Sequence, residues 1–362
     1  MSCALLMGAT TVSAADANKT GVDSEKYEKA VSKAVQYFET AQGEDGSFSA
    51  QVGIGPTALA TLAILRTGRS VDTPVVAKAL KYLETFVRPD GGIYPQGSRL
   101  ANYETCIGLM CFQQANKDGR YDKIVNRAEA FIRKGQWGAG DEKDKSDRYY
   151  GGAGYAGASR PDLSNTAFLV DTLKAAGADS NDAALQRALV FVSRCQNLET
   201  EHNTTSFAAK VNDGGFYYTC AIDEQDATRE NPDGALRSYG AMTYSGLKSM
   251  IYAGVSEDDP RVKAAVTWIA KNYSLESNPG MGDAGLFYYY HTFSKALDAL
   301  GAETIDDAEG KQHNWRAELV EELASRQQKN GSWVNENRRW LENDPNLCSA
   351  FALLSLTYCQ PE

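Results

Sequence analysis

From residue 24 onward the chain alternates two helical patterns. In the first, apolar residues recur at i, i+3 and i+4 with charges opposite. Tyr27, Val31, Ala34, Val35 and Phe38 face away from Lys26, Glu28 and Lys33, which predicts a helix with one side in water. Stripes of this kind run over 24–42, 74–88, 121–136, 182–196, 260–273 and 313–329. In the second pattern, as in 57–65 and 348–358, apolar or small residues occupy almost every face, so the helix must be covered on both sides. Gly-rich turns carrying an aromatic or apolar residue join the first kind to the second, at 42–48, 89–94, 150–155, 213–216, 283–287 and 328–333. Units that cannot bury their own apolar face must stack. Six of them predict a single all-α domain over 24–362, an (α/α)6 toroid of six helical hairpins with apolar helices inside an outer ring of amphipathic ones.

The second helices align on Thr57, Thr105, Thr166, Thr243, Tyr290 and Cys348. At a fixed offset after them stand Gly68, Gly177, Gly254 and Gly301, with Asn116 in the second unit, as left-handed helix ends require. The turn-to-inner-helix loops lengthen at 138–148, 221–236 and 334–345. All run in the same sense and therefore gather on one rim, as a binding face or as tolerated surface insertions.

Charge narrows the partners. Against 37 basic residues stand 47 acidic ones, a formal net charge of −10, and no Lys/Arg run exceeds two, which argues against nucleic acid. No apolar stretch approaches the roughly 20 residues of a membrane-spanning helix. Residues 3–15 are small and apolar, and Val12-Ser13-Ala14 satisfies the small-residue rule of a signal cleavage site. Export to the periplasm or outside the cell is therefore expected, with 1–23 as signal remnant and lead. Of seven cysteines, Cys195 and Cys220 are the one pair considered for a disulfide. Cys-x-x-Cys and His-x-x-x-His spacings are absent, as are a P-loop, a dinucleotide glycine fingerprint and a Gly-x-Ser-x-Gly elbow, so neither metal nor cofactor is expected.

The turns Gln42 to Phe48 and Gln327/Gln328 to Trp333 resemble the Gln-x-x-x-Gly-Ser-Phe/Trp repeat of squalene–hopene cyclases and other class II terpene cyclases, the prenyltransferase/squalene oxidase repeat. The likeness covers the chain after about residue 24 and implies the toroid. Class II cyclases protonate their substrate with the middle Asp of Asp-x-Asp-Asp-Thr-Ala at an inner-helix start. The matching segment here is Asp162-Leu163-Ser164-Asn165-Thr166-Ala167, in which Ser164 and Asn165 replace the donor and its neighbour, and neither side chain supplies the required acidity. Glu104 falls at the register of Asn165, as a relocated acid or as a carboxylate on its own first-turn amides. Asp344 and Asn346 fall at the registers of Asp162 and Ser164. The related protein prenyltransferases hold zinc with an Asp, a Cys and the His of a Tyr-His-Thr segment. Tyr290-His291-Thr292 resembles that segment, but Tyr239-Gly240-Ala241 stands where the other two ligands belong, and one imidazole does not hold catalytic zinc.

Aromatic residues crowd the inner-helix starts, where they line a cavity or pack between repeats. The candidate cavity set is Tyr103, Ser164, Asn165, Tyr239, Tyr244, Tyr288, His291 and Asp344, with Asp162 and Glu104 as candidate acids. Three functions are compatible with this pattern. One is an isoprenoid cyclase or isomerase that has diverged from the usual acid. Another is a non-catalytic toroid binding a hydrophobic small molecule or a protein. The third is a carbohydrate-active toroid with paired carboxylates drawn from Glu104, Asp162, Asp283 and Asp344.

Overall fold

The computed structural model describes residues 20–140, 144–157, 159–230 and 232–361; the expected signal segment up to residue 19 lies outside them. Along the chain run α1 (Ser24–Ala41), α2 (Gly55–Arg66), α3 (Pro74–Glu84), α4 (Ala101–Ala115), α5 (Asp122–Gly135), α6 (Leu163–Ala175) and α7 (Ala183–Arg194). Two short helices follow, α8 (Ala208–Val211) and α9 (Glu224–Glu230), and then α10 (Gly240–Tyr252), α11 (Pro260–Lys271), α12 (Leu286–Ala299), α13 (Trp315–Arg326) and α14 (Pro345–Leu356). Helices α2, α4, α6, α10, α12 and α14 each touch the next, and α14 returns to α2, closing an inner ring. The amphipathic helices α1, α3, α5, α7, α11 and α13 lie outside, and α1 meets α13. The chain is thus an all-α toroid. Between α12 and α13 it adds a two-residue antiparallel ladder, Ile305–Asp306 with Gln312–His313, too short to leave a periodic signal.

The recurring residues of the turns are the fasteners between units. The Gln196 side chain donates to the Gly214 carbonyl in its own turn and to the Arg261 carbonyl in the next outer helix. Gln42 makes the same pair of bonds to Gly46 and Val75, and Gln136 to Gly151 and Ala184. Gln327 bonds to Gly331 and, across the ring closure, to Ala30. The turn glycine is needed because its Cα sits against the neighbouring outer helix. Gly151 has φ +84°, and a Cβ there would lie 1.9 Å from the Arg187 carbonyl oxygen. A hydroxyl at the start of four inner helices accepts the turn's next N–H: Thr57 from Phe48, Thr105 from Ile93, Thr166 from Ala153 and Thr243 from Phe216.

Two details of the sequence alignment change. In the sixth unit the acceptor is Ser349, from Trp333 N–H, one residue beyond Cys348. Asn116 ends α4 with φ −87° rather than left-handed, because its side chain instead bonds Asp122 and the Tyr121 N–H. The six described cysteines are buried thiols, Cys195 and Cys220 included. Among the described residues no helix is long and apolar enough to cross a membrane.

Candidate functional site at the mouth of the inner ring

Because every inner helix follows an outer one in the same sense, all six run parallel and present their N-termini at one end of the lumen. Their free N–H groups favour negative charge there, and carboxylates supply it. Asp162 accepts from Asn165 N–H and Asp344 from Leu347 N–H. Glu342, on the loop before α14, accepts from Tyr288 N–H at the start of α12.

Below these caps lies a cavity of about 280 Å³ to which all six inner helices contribute. Its wall is mainly aromatic, with Tyr103, Phe168, Tyr239, Tyr288, Trp340 and Phe351. The floor is a continuous ring contact, since Tyr288 stacks on Phe168 at 6.1 Å and meets Phe351 edge-on at 5.6 Å. Tyr288 and Ser164 share a 2.9 Å hydroxyl contact. Burial pushes the Tyr103, Tyr239 and Tyr288 phenols well up, so they face the cavity as neutral hydroxyls.

Two carboxyl groups interrupt this wall, Glu104 and Glu342, which are 2% and 1% exposed. Glu104 does not cap its own helix. It accepts from the Ser98 hydroxyl of its own loop at 2.5 Å and from the Ile54 N–H of the preceding unit at 3.4 Å. Burial raises its pKa, and those donors offset only part of the effect. Glu342 is likewise raised by burial against bonds from Asn335 and the α12 amides. Among the described residues no Lys, Arg or His neutralises either group.

Of the residues singled out from sequence, Tyr103, Glu104, Ser164, Tyr239 and Tyr288 line the cavity. The others stand elsewhere. Asp162 and Asn165 pair with each other behind the wall, and Asp162 meets the cavity through Tyr218, whose hydroxyl it binds. Burial pushes the Asp162 carboxyl up to about 6 against those bonds. Asp344 is spent on its N-cap. Tyr244 is packed between Tyr289 and Phe293. His291, one turn beyond Tyr288, lines a different cavity at the opposite end. Helical pitch decides the case of His291, which lies three positions beyond Tyr288 and so below the aromatic floor.

The sequence reading missed Glu342, Trp340 and Leu341. Trp340 and Leu341 adopt φ of +56° and +65°, rare for large side chains, and are each 46% exposed over the mouth. Glu342 fastens this strap by bonding Tyr288 and Asn335. The one signal available was that 334–345 is among the lengthened loops.

A closed ring of parallel inner helices around an aromatic, carboxyl-bearing lumen is a class II terpene cyclase-like fold. Residues 54–225 match the family described as squalene-hopene cyclase C-terminal domain. Among solved structures, the type II terpene cyclase MstE from Scytonema in complex with merosterolic acid A is similar over 94% of this chain and 97% of its own, at 15% identity and a TM-score of 0.58. Its complex with geranylgeranyl dihydroxybenzoate as substrate is similar over 94% and 98%, at 14% identity and a TM-score of 0.58. A family 76 glycoside hydrolase from a bovine Bacteroides thetaiotaomicron strain also has a TM-score of 0.58, at 11% identity over 93% of this chain and 78% of that one. Likeness at these identities concerns the fold. No curated protein matches the chain in sequence.

Proposed function

We propose that the protein acts on an isoprenoid-type substrate as a cyclase or double-bond isomerase, with Glu104 in place of the missing Asp-x-Asp-Asp acid. The observation that carries this reading is the buried, unneutralised Glu104 carboxyl on an otherwise aromatic wall. Burial keeps such a carboxyl protonated to higher pH than usual, as a general acid requires. In the proposed step the Glu104 O–H bond breaks as a C–H bond forms at an alkene carbon. The resulting carbocation lies against the rings of Phe168, Tyr288 and Trp340, whose π faces stabilise positive charge. Loss of a neighbouring proton to the Glu342 carboxylate restores an alkene, with or without prior ring closure, and exchange with solvent resets both carboxyls.

The apolar wall favours this substrate over a sugar, which would leave most of its hydroxyls unpaired. The exposed Trp340 and Leu341 give an apolar chain a path into the lumen. The test is incubation with geranylgeranyl-bearing substrates and product analysis, comparing the protein with Glu104→Gln. Turnover abolished in the variant supports the reading; binding without turnover assigns the cavity to a non-catalytic ligand carrier instead.

A further inference from the structure

The opposite end of the lumen holds a second cavity, about 380 Å³, again reached by all six inner helices but different in chemistry. Its base is a buried charge cluster. The Asp171 carboxylate bridges Lys248 at 2.6 Å and Lys295 at 2.7 Å. Above it stand Arg66, whose guanidinium donates to the Tyr358 hydroxyl at 2.5 Å, and Lys117 and Lys174 at the rim. Asp298 is the one other carboxylate on the wall, and Arg316 holds it from outside at 3.3 Å. A chain of net charge −10 thus lines one small space with four basic side chains, Arg66, Lys117, Lys174 and Lys295, against two acidic ones.

Helix C-termini at this end favour cations, which accounts for Arg66 and Lys174 in the last turns of α2 and α6. It does not account for Lys248 and Lys295, since α10 and α12 carry no basic residue in their last turns and these two lysines point inward from a turn earlier. Nor does it account for His291. That ring is 6% exposed, stacks on Phe351, lines the cavity and leaves its Nδ1 without a hydrogen-bond partner. Burial and the neighbouring Lys295 hold its imidazole well below the ordinary value, so it is neutral. Buried polar atoms left unpaired are rare, and the ring that carries this one lies on the wall of a basic, solvent-open space large enough for a metabolite.

We infer that this second cavity binds a small, multiply charged oxyanion, carried by a phosphorylated or carboxylated metabolite, between Lys295, Arg66 and His291. The site is separated from the aromatic cavity by the floor of Phe168, Tyr288 and Phe351, and it stands whether or not the isoprenoid reading holds.

Histidine-selective NMR tests it, because the chain has three histidines and the other two lie apart: His202 is exposed, and His313 pairs with Asp307 and Glu318. Inorganic diphosphate and citrate serve as separate probes for phosphate-type and carboxylate-type ligands. The expected result is a saturable shift of the His291 signal alone with at least one probe, and the probe that saturates first identifies the source. Lys295→Gln and Arg66→Gln each weaken the binding about tenfold or more, as loss of a charge-assisted bond does, while Lys263→Gln on the outer surface changes nothing. Retention of the His202 and His313 line positions in the ligand-free variants shows that the fold is intact; if Arg66→Gln fails this check, Lys174→Gln at the rim replaces it, with a weaker effect of the same sign. An unmoved His291 signal with both probes overturns the inference, as does equal affinity in the folded variants.

Discussion

The cross-tie made by Gln196 gives the most direct handle on how the ring is held together. Gln196→Met keeps the length and most of the volume of the side chain but removes both donors, whose bonds are 2.9 Å to Gly214 O and 2.8 Å to Arg261 O. Each bond contributes about 1 kcal/mol net. At 1% exposure no water replaces the lost donor, so a stranded carbonyl adds a further ~1–3 kcal/mol. The sum is about 3–5 kcal/mol, a large share of the ~5–15 kcal/mol that holds a folded chain. Gln327 makes the same two bonds at the ring closure, but it is only half-buried, so water takes over and Gln327→Met costs about 1–2 kcal/mol. Urea unfolding reads both as shifts in midpoint at constant slope. A loss below about 1 kcal/mol at Gln196, or equal losses at the two sites, would refute the claim that these glutamines are buried cross-ties.

Other positions make sharp claims. With its pKa raised from 3.8 to about 6, the Asp162 carboxyl binds protons better in the folded chain than unfolded, so stability declines as pH rises between about pH 4 and 6, by about 3 kcal/mol. In Asp162→Asn, which retains a capping oxygen, that slope in a pH series of melting curves flattens; an unchanged slope contradicts the assignment. Gly151→Ala forces a Cβ onto the Arg187 carbonyl and costs at least about 2 kcal/mol, whereas Gly97→Ala, with φ +78° but open space, costs only about 1 kcal/mol for the left-handed backbone. Trp340→Gly relieves the positive φ and leaves the urea midpoint within about 1 kcal/mol while weakening isoprenoid binding, which fluorescence or calorimetric titration measures.

The ring was legible because its causes are periodic. The amphipathic stripe of Tyr27 to Phe38, the saturated apolar run of 57–65 and the turns at 42–48 and 327–333 repeat often enough to imply stacking, and the structure adds the reason for the repeat: a glutamine in four of the turns and a glycine in five bond or touch the neighbouring outer helix, and a hydroxyl on five inner helices ties the turn to its own unit. The site was legible where helical register alone places a side chain, as for Tyr103, Glu104, Ser164 and Tyr288 at inner-helix starts. It was illegible where a loop folds back. Trp340, Leu341 and Glu342 reach the cavity through a strap with two left-handed residues, and nothing periodic marks such a conformation. His291 was placed at the wrong end for the opposite reason. Its position in the Tyr-His-Thr segment suggested the helix start, but in α12 (Leu286–Ala299) it is already in the second turn, beneath the floor that Tyr288 forms.

The proposed acid role rests on Glu104, and the most direct measurement is single-turnover product formation from a geranylgeranyl-bearing substrate, followed across pH in the protein and in Glu104→Gln. The account predicts activity that falls as pH rises through the raised Glu104 pKa, and a loss of about a hundredfold or more in the variant, with substrate still bound. Turnover that survives Glu104→Gln undiminished, or that has the same pH profile in both proteins, would contradict it.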